Sequence, residues 1–183
     1  MTAARYTRVA IGLHWAIAAA IFCTFALGLY MADLPPSPTK LKLYAYHKWI
    51  GVTIFVLVLA RIGWRLAHPA PALPPMPAWQ RAATRASHAL LYLLTLAVPV
   101  AGWLFSSASG FQTVYLGVLP IPDLVGRDKA AADMFKAAHW YLNLTMVCVV
   151  VLHAGAALKH HFVDRDDVLA RMIPLLKPRS PGK

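Results

Sequence analysis

"AHWYLNLTMVCVVVLHAG", residues 138–155, is apolar enough to lie in lipid apart from His139 and His153. Ionisable residues inside a membrane are rare and mark function by default. Their spacing supplies a reason for both. An α-helix turns about 100° per residue, so fourteen steps fall about 40° short of four full turns. The two imidazoles therefore share nearly one face, about 21 Å apart along the axis. In a hydrocarbon core of about 30 Å, one lies near each surface. No single ion reaches both, whereas two centres stacked across a membrane do.

The rest of the chain is built for the same surroundings. Of 183 residues, 59% are hydrophobic and 14% charged, and the apolar ones gather into long runs. A soluble domain does not concentrate them so. Four runs stand out, at 9–31, 45–64, 88–105 and 137–158. Each approaches or exceeds the roughly 20 residues that cross a bilayer core. Helices satisfy their own backbone in lipid, and no alternating pattern suggests a barrel. The expected fold is all-α, a four-transmembrane-helix bundle forming one integral-membrane domain over 1–183. A short amphipathic C-terminal segment follows, expected as a surface helix with Ile173, Leu175 and Leu176 against lipid. The first run exceeds a signal peptide's core of about 7–15 residues and lacks a cleavage site after it, so it is expected to remain as a helix.

The net charge of +11 is a topology signal and not a nucleic-acid footprint. With the N-terminus inside, the basic residues divide twelve to six in favour of the inner side, Lys177, Arg179 and Lys183 among the twelve. That asymmetry places both termini in the cytoplasm. Cys23 and Cys148 lie mid-span and read as small hydrophobic fillers. No C-x-x-C-H occurs, so covalently attached haem is excluded.

Among the connections, "DLPPSPTK" (33–40) is expected to be non-helical on account of its prolines. "AHPAPALPPMPAW" (67–79) reads as an extended, polyproline-like stretch along the surface. Residues 80–87 start the third helix below the membrane, and "GRDKAAADMFKAAHW" (126–140) reads as a helix entering the fourth span. The external connection 106–136 is the longest, and lengths above about 12–15 residues are commonly functional.

Partners for His139 and His153 must come from other helices at matching depth. His14 and His153 lie five residues from the inner ends of their runs, about 7–8 Å deep. His47 and His139 each lie two residues from the outer end. The inner level thus offers His14 and His153, and the outer level His47 and His139. His88 is a shallower inner candidate, better suited to a haem propionate or a quinone. His160 and His161 leave the membrane and suit an interfacial or propionate contact, while His68 reads as solvated. An interfacial position alone accounts for His47, His88 and His139, but less well for the deeper pair. Zinc wants further ligands, and all seven acidic residues lie outside the spans. Haem needs only two axial ligands, and its apolar macrocycle suits a bundle interior. Gly51, one turn after His47, leaves room for a ring edge.

"RVAIGLHW" (8–15), "YHKWIG" (46–51), "RIGWRL" (61–66), "SHALLYLLTLAVPVAGWL" (87–104) and above all "HAGAALKHHFVDRDDVLARMIP" (153–174) resemble the bacterial cytochrome b561 family of di-haem membrane proteins. The resemblance runs over nearly the whole chain and is weakest in the external loops. It implies two haem b held by His14, His47, His139 and His153, electron exchange with ubiquinone, and a bacterial inner-membrane location. A family member that oxidises superoxide and reduces ubiquinone supplies the expected substrate pair. Two bis-histidine centres imply outer-sphere electron transfer. Lys40, Lys42, Lys48, Arg127 and Lys129 on the outer side would draw in a small anion. The alternative is an electron-transfer or anchor subunit serving a partner dehydrogenase or hydrogenase. A haem-free structural membrane protein is the third reading.

Overall fold

A computed structural model describes residues 5–173 together with Leu175 and Leu176. The inner-side cations Lys177, Arg179 and Lys183 lie outside the described residues. Four helices dominate: α1 (Arg8–Ala32), α2 (Pro38–Ala67), α3 (Ala78–Ala108) and α4 (Lys129–Phe162). Each is long and apolar enough to cross a membrane. Both described chain termini fall at one end of the bundle, called here the terminal end. The α3–α4 connection marks the other, the hairpin end.

Local chemistry sets the helix starts. The Thr7, Ser37 and Asp128 side chains accept from the backbone N–H groups of Ala10, Lys40 and Ala131, and so cap α1, α2 and α4. The expectation that prolines keep 33–40 out of a helix fails from Pro38 onward. Pro38 stands in the first turn, where a missing N–H leaves no helical bond unmade. Lys40 then reaches back, its Nζ donating to the carbonyls of Ala32 and Leu34 at the end of α1.

The α3–α4 connection holds the one departure from an all-helical reading among the described residues. Val114–Tyr115 (β1) pairs antiparallel with Leu119–Pro120 (β2), in the register Val114↔Pro120 and Tyr115↔Leu119. The C-terminal segment also departs from expectation. Its described part contains a single 3₁₀ turn, Leu169–Arg171, where a surface helix was expected. That turn is docked on the terminal end, since Trp15 Nε1 donates to the Met172 carbonyl at 2.8 Å and Arg171 to that of Ala72 at 2.6 Å. Leu175 is exposed, as a lipid contact requires, whereas Ile173 and Leu176 are half-buried.

The closely packed helix pairs among the described residues are α1–α2, α2–α3 and α3–α4. The α4 helix does not close tightly on α1 or α2. The buried core is correspondingly small and sits mid-bundle. Ile17, Ile54 and Val58 form one cluster, Leu94, Val98 and Met146 a second, and Ile21 touches both. Large apolar residues such as Phe22 and Leu152 face outward, as a lipid-solvated surface demands.

Candidate functional site: two histidine levels

The gap between α4 and its neighbours α1 and α2 is spanned by histidines. At the terminal end His14 of α1 faces His153 of α4, ring centroids 6.3 Å apart and planes at 70°. At the hairpin end His47 of α2 faces His139 of α4, at 6.2 Å and 79°. The two α4 members belong to one stripe, His139–Met146–His153–His160, repeated every seven residues. Met146 is buried between the levels. Both depth-matched pairs expected from the sequence face each other, and His88 also meets His153.

Spacing restricts what such a pair can hold. Two imidazoles on opposite sides of one metal ion, each nitrogen about 2.0–2.1 Å from it, have centroids roughly 6 Å apart, and smaller angles at the ion bring them closer. Both pairs have that spacing. His88 of α3 lies closer to His153, at 5.5 Å, which makes it a third imidazole at the terminal level. Neither level adds the acidic or thiolate donors that a bare zinc ion favours. Among the described residues, three donors of the His, Cys and carboxylate types converge only at His160, Asp164 and Asp166, at the end of α4 and just beyond it.

At the hairpin end, neighbours orient each ring. His139 Nδ1 lies 3.0 Å from the Val98 carbonyl. A carbonyl only accepts, so Nδ1 carries the proton and Nε2 keeps its lone pair. The Nδ1 of His47 meets Thr24 Oγ1 at 3.1 Å. Two glycines make room. A Cβ on Gly102 would stand 3.0 Å from His139 Cε1, and one on Gly28 would stand 3.1 Å from His47 Cε1. A cleft opens beside the pair, lined by Thr24, Gly51, Pro99 and Met146 among others. Gly51 has no atom near the place of a Cβ, which agrees with the space expected there. At the terminal end Arg61 of α2 donates to the Ala10 carbonyl at 2.6 Å and lines a shallow recess with Tyr6, Trp64 and Tyr92.

Other candidates are placed differently. His160 Nδ1 is held by Asp166 at 2.7 Å and Asp164 at 3.1 Å. His68 is exposed but stacks on Trp64, centroids 4.0 Å apart. Lys48 donates to Ser106 Oγ, Phe111 O and Gln112 O, and so staples the loop to α2. Lys129 pairs with Asp133 at 2.7 Å. Arg127 lies across Gly110, and Lys42 is exposed. Cys23 and Cys148 are exposed on the helix surface and fill no interior gap. Sequence reasoning passed over Gly28, Gly102 and Arg61, whose types are ordinary in such helices. Thr24 did carry a signal, being the one polar residue besides His14 in the first run.

Facing imidazoles inside an apolar four-helix membrane bundle are the architecture of a membrane cytochrome. The comparisons narrow that class. The family model of the prokaryotic cytochrome b561 matches residues 5–175. The chain is 36% identical over 174 residues to "Cytochrome b561 homolog 2" of Escherichia coli strain K12, covering 94% of this chain and 93% of that protein. It is 32% identical over 180 residues to "Cytochrome b562" of Cereibacter sphaeroides, covering 95% and 96%. It is 29% identical over 171 residues to "Probable superoxide oxidase CybB" of Yersinia pestis, covering 93% and 96%. The chain belongs to the prokaryotic cytochrome b561 family, multi-pass membrane proteins of electron transfer that carry haem b.

Proposed function

We propose that the chain holds two haem b, one between His14 and His153 and one between His47 and His139, and passes electrons from superoxide to ubiquinone. The observation that carries this reading is the pair of imidazole separations, 6.3 and 6.2 Å, each across a gap where α4 does not pack closely on its partner helix. Haem b, when bound, would supply one-electron redox chemistry. The paired histidines would hold it at each level, and with both imidazoles engaged superoxide would give up its electron without binding, by outer-sphere transfer. The proton on His139 Nδ1, held by the Val98 carbonyl, keeps Nε2 available as a ligand and fixes the ring. Exposed cations at the hairpin end draw the superoxide anion inward. Two superoxide anions leave as dioxygen, and their two electrons, with two protons, convert one ubiquinone to ubiquinol. The substrate pair is supported by the relative named as a probable superoxide oxidase. The hairpin end then faces away from the cytoplasm across a bacterial inner membrane, with both termini inside.

Pyridine haemochrome analysis should give two haem b per chain. His14→Ala and His153→Ala should remove one centre, His47→Ala and His139→Ala the other, each leaving its counterpart spectrally recognisable. If His88→Ala mimics His153→Ala while His14→Ala is silent, the terminal partner is His88. Stopped-flow mixing of the purified protein with superoxide should reduce it rapidly, and a soluble quinone should reoxidise it. Slow reduction, with a catalytic protein co-purifying, would instead make the chain an electron-transfer subunit.

A further inference from the structure

The β1–β2 hairpin packs on the outward face of α2. Trp49 Nε1 donates to the Val114 carbonyl at 2.6 Å, and Thr53 Oγ1 meets Tyr115 Oη at 2.9 Å. On α2 the inward stripe is His47, Gly51 and Ile54, which line the hairpin-end cleft. At about 100° per residue, Trp49 and Thr53 lie about 200° and 240° round from His47. They point away from the bundle interior.

Depth is fixed by helix length. The α2 helix has 30 residues, about 45 Å, against a hydrocarbon core of about 30 Å. Even if all the excess projected at the hairpin end, only about 15 Å of α2 would stand outside the core there. Thr53 lies fifteen residues in from Pro38, about 22 Å along the axis. The Tyr115 hydroxyl that meets Thr53 is therefore below the surface of the hydrocarbon core, on the side of α2 that faces out.

The hairpin's composition suits that place. Residues 111–122, "FQTVYLGVLPIP", carry no charge. Leu116, Val118 and Leu119 are exposed, Val118 by 80%. Leu116 takes a φ of 53°, a conformation bulky apolar residues avoid and Asn or Gly accepts. The hairpin bonds part of its own backbone, Gly117 N–H to Val114 O, Val118 N–H to Tyr115 O and Ile121 N–H to Thr113 O, and each such bond lowers the cost of apolar surroundings. We propose that the β1–β2 hairpin is a wedge seated in the lipid leaflet at the hairpin end, its tip Leu116–Val118 in contact with acyl chains. The occupant of its apolar face is lipid, because that face continues the lipid-facing surface of α2.

The test uses the full-length holoprotein in liposomes, with Cys23 and Cys148 replaced by Ala and a nitroxide spin label on Val118→Cys. Val118 is exposed, so the label does not disturb packing. Reference labels go at lipid-facing Phe22 and at exposed Asp33 in the α1–α2 connection. Power-saturation measurements compare collisions with oxygen, concentrated in lipid, and with a water-soluble nickel chelate. The Val118 label should resemble Phe22, with an oxygen-to-nickel ratio several-fold above that at Asp33. A ratio like that at Asp33 would put the tip in water and overturn the proposal. Protection from both reagents would also overturn it, showing that protein, a second copy or a partner, covers the tip. A second variant, Leu116→Asn, favours the turn while removing its apolar tip. It should lower the ratio at Val118, and no change would count against insertion.

Discussion

At the scale of single residues, His139 is committed on two sides, its Nδ1–H to the Val98 carbonyl and its Cε1 over Gly102. A methyl on Gly102 would come within 3.0 Å of Cε1 and 3.2 Å of Nδ1, so the ring must move and the Val98 bond must lengthen. Gly102→Ala is therefore expected to perturb or empty the hairpin-end centre and leave the terminal-end centre intact, as read from the visible spectra of the reduced protein. Gly51→Ala is the informative companion. A methyl there meets no protein atom, and Gly to Ala inside a helix stabilises by roughly 0.5–1 kcal/mol. Any change in the hairpin-end spectrum of Gly51→Ala must then come through whatever fills the cleft. If that spectrum does not move, the occupant does not reach Gly51. The histidine pairs were legible in the sequence because a polar, ionisable residue stands out against an apolar background. Gly28 and Gly102 were not, since each makes room for a ring on another helix and nothing local reveals it.

At the scale of elements, the four spans could be read from hydropathy because lipid solvation demands unbroken apolar runs. Their ends could not, because helices project past the membrane and are stopped by caps. Ser37 and Pro38 show why the start of α2 was misplaced. Proline is a breaker in a helix interior but tolerated in the first turn, and the Ser37 cap four residues after Asp33 decides which rule applies. Removing that cap by Ser37→Ala is expected to cost about 1 kcal/mol. The loss should appear as faster amide exchange at Lys40 and Leu41, with the middle of α2 unaffected. The hairpin was invisible for another reason. Two-residue strands have no periodicity to detect, and this one is held by Trp49, Thr53 and Lys48 of a distant helix. The C-terminal turn is similar, its place set by Trp15 and the Ala72 carbonyl.

At the scale of the whole molecule, the charge distribution joins the structure to the proposed superoxide chemistry. Five cations at the hairpin end were expected to steer an anion, and the structure sorts them. Lys40 and Lys48 are tethered to carbonyls of neighbouring segments, and Lys129 is matched by Asp133. Lys42 and Arg127 are exposed, with no ion pair among the described residues. Lys48 is a poor subject for a charge test, since Lys48→Gln would also release three hydrogen bonds that staple the loop. The clean variant is Lys42→Gln combined with Arg127→Gln. A local positive field can raise the arrival rate of an anion by about 10- to 1000-fold. Such a field is screened over about 8–10 Å at physiological ionic strength. The rate of reduction by superoxide should therefore fall as salt rises in the native protein. In the double variant it should start lower and depend less on salt, with both haem spectra unchanged. Reduction by an uncharged donor should be indifferent to salt and substitution alike, which separates steering from altered haem properties. A superoxide rate that ignores both would leave Lys42 and Arg127 as ordinary solvated surface and locate the anion's approach elsewhere on the hairpin end.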